Sequence, residues 1–240
     1  MNTMSIPWTP WTPAMADDPA WCALLDRASA PYRPAGRYAW HFARGKLGLD
    51  PVFRHLVTEA LVPPGARVLD LGCGQGLLGS LLQACGPVRY TGIELSARDA
   101  NRARVALGAS GSATVVCGDL RDQAFPTADT VVLLDVLHYL DAAAQDDLLA
   151  RASAALAPGG RLLLRVGDAG ALRGYGFSRW VDRLVSGLRR GAPPVAGRPL
   201  SVWTERLQGL GLQVDAQPMS HGTPFANVLL VAQRRAGAGT

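Results

Sequence analysis

A glycine-rich turn beside a carboxylate is the segment of this sequence best suited to hold a small ligand. Gly72, Gly74 and Gly76 alternate with other residues shortly after Asp70. Glycine adopts backbone conformations that other residues avoid, so a ligand can lie against the main chain at this point. A dinucleotide-binding fingerprint would require glycine where Leu77 stands, and the Asp70 carboxylate would repel a pyrophosphate. The turn therefore favours a ligand with a positive centre, such as an ammonium or a sulfonium group.

Two further carboxylates follow predicted strands farther along the chain. Glu94 ends one strand, where an acidic side chain can accept both hydrogen bonds of a ribose diol. Asp119 follows Gly118 after the next strand and can accept a hydrogen bond from the exocyclic amine of adenine. Taken singly, each acid has helix capping or a solvated loop as an alternative role. Because the carboxyl ends of parallel strands meet at one edge of a sheet, the acids together predict a nucleoside site.

The elements that must position these residues are short apolar runs that alternate with helical stretches. Such alternation forms βαβ units and predicts an α/β fold with a mostly parallel sheet. Only a loop through Gly222 and Pro224 separates the last two strands, so we expect them to pair antiparallel. The predicted strands cover residues 67–71, 89–94, 113–117, 130–134, 160–166, 212–217 and 228–233, and the predicted helices cover 17–29, 36–47, 51–61, 76–85, 96–107, 142–156, 177–190 and 200–210.

The chain is predicted to contain one domain with flanking segments. Proline at every third position of 7–13 excludes helix and predicts that 1–16 form a flexible tail, with an aromatic docking peptide as the alternative. Residues 17–62 are predicted to form a helical lid over the site. Residues 63–240 are predicted to form the ligand-binding domain, with an insertion at 167–200 that carries an amphipathic helix.

Composition and charge narrow the class of protein. A hydrophobic share of 48% fits a soluble globular protein, and no stretch approaches the roughly 18 apolar residues of a membrane span. No secretory signal is visible, and the four scattered cysteines predict neither a disulfide framework nor a metal site, so we expect a cytoplasmic protein. Residues 1–150 carry a net charge of −3 and residues 151–240 carry +8. The basic part predicts an acidic acceptor or partner, with a solvated basic face as the alternative.

Together these motifs resemble those of the class I, Rossmann-like methyltransferases that use S-adenosylmethionine (SAM). The similarity is carried by the turn after Asp70, by Glu94, by Gly118-Asp119 and by the Leu-Ala-Pro-Gly-Gly segment at 156–160. It implies a seven-stranded sheet of order 3-2-1-4-5-7-6 with helices on both faces. The small-molecule branch, with ubiquinone-pathway and trans-aconitate-type enzymes, is the most similar. Segment 32–53 also resembles methyltransferases of bacterial aryl-polyene pigment synthesis.

The resemblance implies SAM as methyl donor and S-adenosylhomocysteine as its product, bound across the ends of the first three strands. In such enzymes the acid that matches Asp70 lies near the methionine moiety, while Glu94 would hold the ribose and Asp119 the adenine. A cation of the lid would reach the SAM carboxylate. The predicted donor-binding residues are Asp70, Gly72, Cys73, Gly74, Gly76, Leu77, Glu94, Leu95, Gly118, Asp119, Leu120, Asp135, Arg37 and Arg44.

The residues after the fourth strand border the methyl acceptor in this fold. Amino-group methyltransferases often carry Asn/Asp-Pro-Pro-Tyr/Phe there, whereas this chain reads Asp-Val-Leu-His-Tyr from Asp135, and it also lacks a Pro-Cys dipeptide. Both absences favour a small-molecule acceptor over a nucleic-acid base. His138 is the predicted general base, because neutral imidazole accepts a proton near pH 7; packing against the donor is the alternative. His221 and His41 are further candidates for the base.

The predicted function is O-methylation of a phenolic, carboxylic or polyketide-like molecule, free or bound to a carrier protein. C-methylation, RNA methylation and a non-catalytic SAM-binding subunit are the alternatives. Between Arg173 and Arg198 six basic residues stand against one acid, which favours an acidic acyl carrier protein or a peripheral membrane contact as partner; a helix that closes the pocket is the simpler explanation. Nucleic acid and a transmembrane segment are not expected. The predicted acceptor-binding residues are Tyr38, Tyr139, Arg165, Tyr175 and Trp180.

Overall fold

Seven strands form one mixed sheet in the computed structural model, which describes residues 18–108, 111–167, 197–219 and 227–235. The order is β3-β2-β1-β4-β5-β7-β6, with β7 antiparallel to both of its neighbours, so the predicted fold class is confirmed. The strands are β1 Arg67–Leu71, β2 Arg89–Glu94, β3 Ala113–Cys117, β4 Ala128–Leu134, β5 Leu156–Gly167, β6 Leu212–Pro218 and β7 Asn227–Arg234.

The first three strands begin and end at the predicted residues, whereas β4 and β5 begin earlier than predicted. Ala128 pairs with Leu156 before the register between the two strands shifts at Thr130. This pairing places Leu156 in the sheet, so the helix predicted over 142–156 is too long and ends at Ala154. Gly159 adopts a φ of 73° within β5, and the Pro-Gly-Gly segment therefore forms an irregular start of the strand.

The helices of the described residues flank the sheet on both faces. Asp18, Asp50, Ser96 and Asp141 accept hydrogen bonds from the first free amides of four of them, as helix-capping side chains do. The α-helices are α1 Pro19–Ser29, α2 Arg37–Leu49, α3 Pro51–Thr58, α4 Leu77–Cys85, α5 Ala97–Leu107, α6 Ala142–Ala154 and α7 Leu200–Gly209, and the 3₁₀ helices are Ala30–Ala35 and Leu137–Tyr139.

The N-terminal helices share the hydrophobic core of one sheet face. Apolar residues of α1, α2 and α3 pack in one cluster with α4 and α5, while α6 and α7 pack on the opposite face. Ser80 of α4 donates a hydrogen bond to the carbonyl of Ala28 in α1 at 2.6 Å, which joins the two helices at their closest approach. In the part of the chain that the structure describes, no helix has the length and apolar character needed to cross a membrane.

Candidate functional site

The glycine-rich turn joins β1 to α4 at the carboxyl edge of the sheet. Gly72 has a φ of 80°, and a Cβ at this position would lie 2.5 Å from Cγ2 of Val136, which follows β4. Gly76 has a φ of 77°, and a Cβ at this position would lie 3.0 Å from the Cβ of Ala103 in α5. Both positions therefore require glycine, because a side chain would be strained and would overlap a neighbouring element.

Glu94 ties the turn to the start of α5. Its Oε2 accepts a hydrogen bond from the amide of Gly74 at 2.9 Å, and its Oε1 accepts one from the amide of Ser96 at 2.8 Å. A carboxylate offers about four lone-pair sites, so each oxygen can accept a second bond. Two amides thus fix the carboxylate while leaving it able to accept both hydroxyls of a ribose.

Asp70 is buried beneath the turn and is 4% exposed. The hydroxyl of Tyr90 donates a hydrogen bond to its Oδ2 at 2.5 Å. Burial raises the pKa of Asp70 to about 7, against the opposing effect of the bond from Tyr90, and the nearby charge of Glu94 adds to the rise. A positive group beside Asp70 would favour the ionised carboxylate, so the site suits a cationic ligand.

Tyr32, from the 3₁₀ helix after α1, reaches the same turn from the N-terminal segment. Its hydroxyl donates to the carbonyl of Gln75 at 2.9 Å, and the side chain is fully buried. Burial raises the pKa of both Tyr32 and the neighbouring Cys73 above their ordinary values. Tyr32 and Tyr90 were not among the predicted site residues, although tyrosines in apolar surroundings generally need a hydrogen-bond partner. That requirement was the only signal in the sequence.

We expect Tyr32→Phe to lower the free energy of unfolding by about 1–2 kcal/mol, since it removes a buried hydrogen bond to the Gln75 carbonyl. Urea unfolding monitored by circular dichroism measures the change. Tyr38→Phe is the matched control, because Tyr38 is 78% exposed and its substitution should cost less than about 0.5 kcal/mol. Equal effects of the two substitutions would contradict a stabilising role for the contact between Tyr32 and the turn.

The tip of β3 lies beside the tip of β2. The amide of Gly118 donates to the carbonyl of Glu94 at 3.0 Å, and a Cβ on Gly118 would lie 2.7 Å from Nε2 of Gln123. Asp119 accepts hydrogen bonds from both the amide and the guanidinium of Arg121, and these bonds hold the pKa of Asp119 below its usual range. Leu95 is exposed at this edge. The structure thus brings Asp119, the predicted adenine-binding residue, to the same edge as the predicted donor-binding residues Gly118 and Leu95, with Arg121 as a partner of Asp119 that was not predicted.

The tip of β4 faces the glycine turn. Asp135 has a φ of 58°, which is uncommon for a residue other than glycine, and its carboxylate pairs with the guanidinium of Arg165. His138 is half-buried in the 3₁₀ helix that follows, with its ring centroid 4.0 Å from that of Tyr139. The side-chain Nε2 of Gln145 donates to the carbonyl of Leu137, where this helix begins, and to the carbonyl of Leu140, directly after it ends. The predicted base therefore lies on a short turn that is held by Gln145 and is next to the glycine-rich turn.

Of the remaining predicted residues, Leu77 begins α4 and Leu120 follows Asp119, and the others lie on α2 or outside the described residues. On α2, Arg37, Tyr38 and His41 are exposed, while Arg44 pairs with Asp26 of α1 at 2.8 Å. Their roles at the site stay predictions. His221, Tyr175, Trp180, the tail at 1–16 and nearly all of the insertion at 167–200 lie outside the described residues. Among the described residues, no three or more His, Cys, Asp or Glu side chains are grouped to hold a metal ion.

Comparison with known proteins places these motifs in one family. Residues 68–160 match the family model of a methyltransferase domain. The chain is 32% identical over 164 residues to ribosomal RNA small subunit methyltransferase C of Pseudomonas aeruginosa (strain UCBPP-PA14). The matched region covers 60% of this chain and 49% of that protein. It is also 34% identical over 115 residues to trans-aconitate 2-methyltransferase of Mycobacterium tuberculosis (strain ATCC 25177 / H37Ra). That matched region covers 48% of this chain and 42% of that protein.

A solved structure shares the fold over most of its length. Magnesium protoporphyrin IX methyltransferase from Synechocystis PCC 6803, determined with bound S-adenosylhomocysteine, superposes with a TM-score of 0.60 at 22% identity, covering 87% of this chain and 93% of that one. The chain spans about half the length of the curated relatives that it matches. The similarity therefore covers the domain that carries the glycine turn and the three acids.

Proposed function

The chain belongs to the class I, Rossmann-like SAM-dependent methyltransferases, and from this premise we propose that it methylates an oxygen atom of a small phenolic, carboxylic or polyketide-like acceptor. The observation that carries the donor half of the proposal is the anchored carboxylate of Glu94. Its two bonds to the amides of Gly74 and Ser96 leave it shaped for a ribose diol at the edge of the glycine turn. Binding of SAM and of S-adenosylhomocysteine is typical of this family.

The residues of this chain fit the three parts of the donor. Asp70 would lie near the methionine moiety, Glu94 would hold the ribose, and Asp119 would hold the adenine. SAM, when bound, supplies a methyl group already activated on a sulfonium, so the protein mainly has to align the reactants and remove the proton of the acceptor. Val136 packs closely against Gly72 of the turn and so fixes one wall of the site.

His138 supports the acceptor half of the proposal. It lies three residues beyond Asp135, on the turn that borders the donor site, and a neutral imidazole there can accept the proton of a phenol or an enol. The β4 tip also lacks the proline pair that is typical of amino-group methylation. Trans-aconitate 2-methyltransferase, one of the relatives, is named for a small-molecule acceptor.

We expect His138→Ala to leave SAM binding within about twofold of the wild type and to slow methyl transfer by about 100-fold or more, the usual contribution of general-base catalysis. Calorimetry with SAM and the turnover rate of the identified acceptor give the two values. His55→Gln is the control, because His55 bonds to Gln217 of β6 and is not part of the proposed site. Unchanged turnover in His138→Ala would remove His138 as the base.

RNA methylation is a second candidate function. It is favoured by the 32% identity to ribosomal RNA small subunit methyltransferase C and by the isoelectric point of about 9.4. Against it stand the sequence at the β4 tip and the small net charge of +5, which is modest beside the usual electrostatic footprint of an RNA-binding protein.

The decisive experiment is incubation of the purified chain with isotope-labelled SAM and, in separate reactions, a metabolite extract and the total RNA of the host, followed by mass spectrometry. A labelled ester or ether of a small molecule supports the proposal. Labelled macromolecular product that disappears after ribonuclease treatment supports the RNA candidate. Binding of SAM without any labelled product would instead support a non-catalytic subunit.

A further inference from the structure

Arg165 of β5 is a buried cation that joins two parts of the fold. Its side chain is 3% exposed, and its Nη1 donates to Oδ1 of Asp50 at 2.5 Å. Its Nε donates to Oδ1 of Asp135 at 2.8 Å, and its Nη2 donates to the second oxygen of the same carboxylate. Asp50 in turn caps α3 through the amide of Val52 and pairs with Lys46 of α2 at 2.8 Å. One guanidinium therefore connects the N-terminal helices to the tip of β4.

The charges of this group compensate one another. Burial alone would lower the pKa of Arg165, but the carboxylates of Asp135 and Asp50 outweigh it and raise that pKa. Burial alone would raise the pKa of Asp50, but Arg165 and Lys46 outweigh it and hold that pKa well below its usual range. Removing Arg165 would leave Lys46 as the one cation of this group that pairs with Asp50, and loss of one member of a buried pair is strongly destabilising.

Asp135 needs such a partner, because its backbone is strained. A φ of 58° at a residue other than glycine costs about 1–2 kcal/mol and persists where the surroundings hold it. The bidentate bond from Arg165 supplies that hold. The bend at Asp135 directs Val136 onto Gly72, where it occupies the space that a Cβ would take, and begins the turn that carries His138.

We propose that Arg165 is a positioning residue, which holds Asp135 in the left-handed conformation and thereby sets the packing of Val136 on the glycine turn and the placement of His138. Arg165 was predicted to bind the acceptor; in this proposal it acts through Asp135 instead, because all three of its guanidinium nitrogens donate to carboxylates inside the protein. Through Asp50, the same residue couples α3 to the donor site. This inference rests on the proposed function, since it assumes that the turn positioned by Arg165 belongs to a SAM site.

The first test compares Arg165→Met with Arg67→Met. Arg67 makes a similar bidentate pair with Asp129, but at the amino ends of β1 and β4, away from the carboxyl edge. Calorimetry with SAM and thermal unfolding are measured for both variants. We expect Arg165→Met to weaken SAM binding at least tenfold while still folded, and Arg67→Met to change it less than twofold. A folded Arg165→Met with wild-type SAM affinity overturns the inference.

A second background separates positioning from general destabilisation. Glycine adopts a positive φ without strain, so Asp135→Gly removes both the strain and the carboxylate that Arg165 holds. In this background we expect Arg165→Met to cause less than a twofold further loss of SAM affinity. A tenfold further loss would mean that Arg165 does not act through Asp135, and would overturn the inference.

Two further results keep the test decisive. If Arg165→Met does not fold, Arg165→Lys takes its place, because lysine keeps the charge but cannot bond both oxygens of Asp135 at once. A threefold or larger loss of SAM affinity in that variant supports the inference, and no loss overturns it. Failure of the wild-type chain to bind SAM would instead contradict the proposed function, so the two failures are distinguishable.

Discussion

Replacing Glu94 with glutamine is expected to weaken SAM binding by about 100-fold or more. Both oxygens of Glu94 accept hydrogen bonds from backbone amides, one from Gly74 and one from Ser96. A glutamine of the same shape carries an NH₂ group in place of one oxygen, and this donor would face an amide N–H. Hydrogen bonds to a charged group contribute about 1.5–3 kcal/mol each, so losing one at the ribose, weakening the other by removing the charge, and distorting the turn account for the expected factor.

Isothermal titration calorimetry with SAM measures the effect at Glu94. Glu59→Gln is the matched control, because Glu59 is an exposed residue at the end of α3 and the same substitution there should leave SAM affinity unchanged. If Glu94→Gln bound SAM as tightly as the wild type, the ribose-binding role of Glu94 would be wrong, and with it the placement of the donor.

Replacing Asp70 with asparagine is expected to abolish most SAM binding and, at the same time, to stabilise the fold at alkaline pH. The carbonyl oxygen of asparagine can still accept the bond from the hydroxyl of Tyr90, so the local packing is kept. What is lost is the negative charge that faces the positive part of the ligand. We expect a loss of about 100-fold in SAM affinity at pH 8, as for removal of a charged hydrogen-bonding partner.

The stability effect follows from the sign of the pKa shift. Burial raises the pKa of Asp70 from 3.8 to about 7, so the folded chain keeps a proton between these values that the unfolded chain has released. The free energy of unfolding therefore falls as pH rises from about 4 to about 7. Above that range the deficit, which is the stability lost by ionising the buried Asp70, stays constant. Asp70→Asn removes the deficit, and we expect it to raise the free energy of unfolding at pH 8 by about 2–4 kcal/mol.

The same protonation makes donor binding depend on pH. If the ionised form of Asp70 binds SAM, wild-type affinity should rise about tenfold per pH unit from pH 5.5 until it levels near pH 7. Asp70→Asn should show weak binding without this slope. Calorimetry across this range, with urea unfolding at pH 5 and pH 8, measures both effects. An identical slope in the variant would mean that another group controls binding.

Local patterns in the sequence determined many of the elements and the glycine-rich turn. Strands β1 to β3 begin and end where predicted, because short apolar runs bounded by glycine and charged residues are signals within a few neighbouring positions. The spacing of Gly72, Gly74 and Gly76 after Asp70 likewise identified the turn, since the backbone requirement and the residues that meet it lie in one segment. The start of β5 was missed because it depends on pairing with Ala128, 28 residues earlier in the chain.

Only the tertiary structure decided which polar groups meet inside the fold. The hydroxyl of Tyr90 bonds Asp70 across 20 residues of chain, that of Tyr32 bonds Gln75 across 43, and Arg165 bonds Asp50 across 115. A single sequence shows that a buried charge needs a partner, but many acids and cations could satisfy that need. Burial and strand order select among them, because they bring β5, the tip of β4 and the cap of α3 to one point. The sequence thus determined where the glycine turn and the three acids lie, and packing determined how they are held in shape.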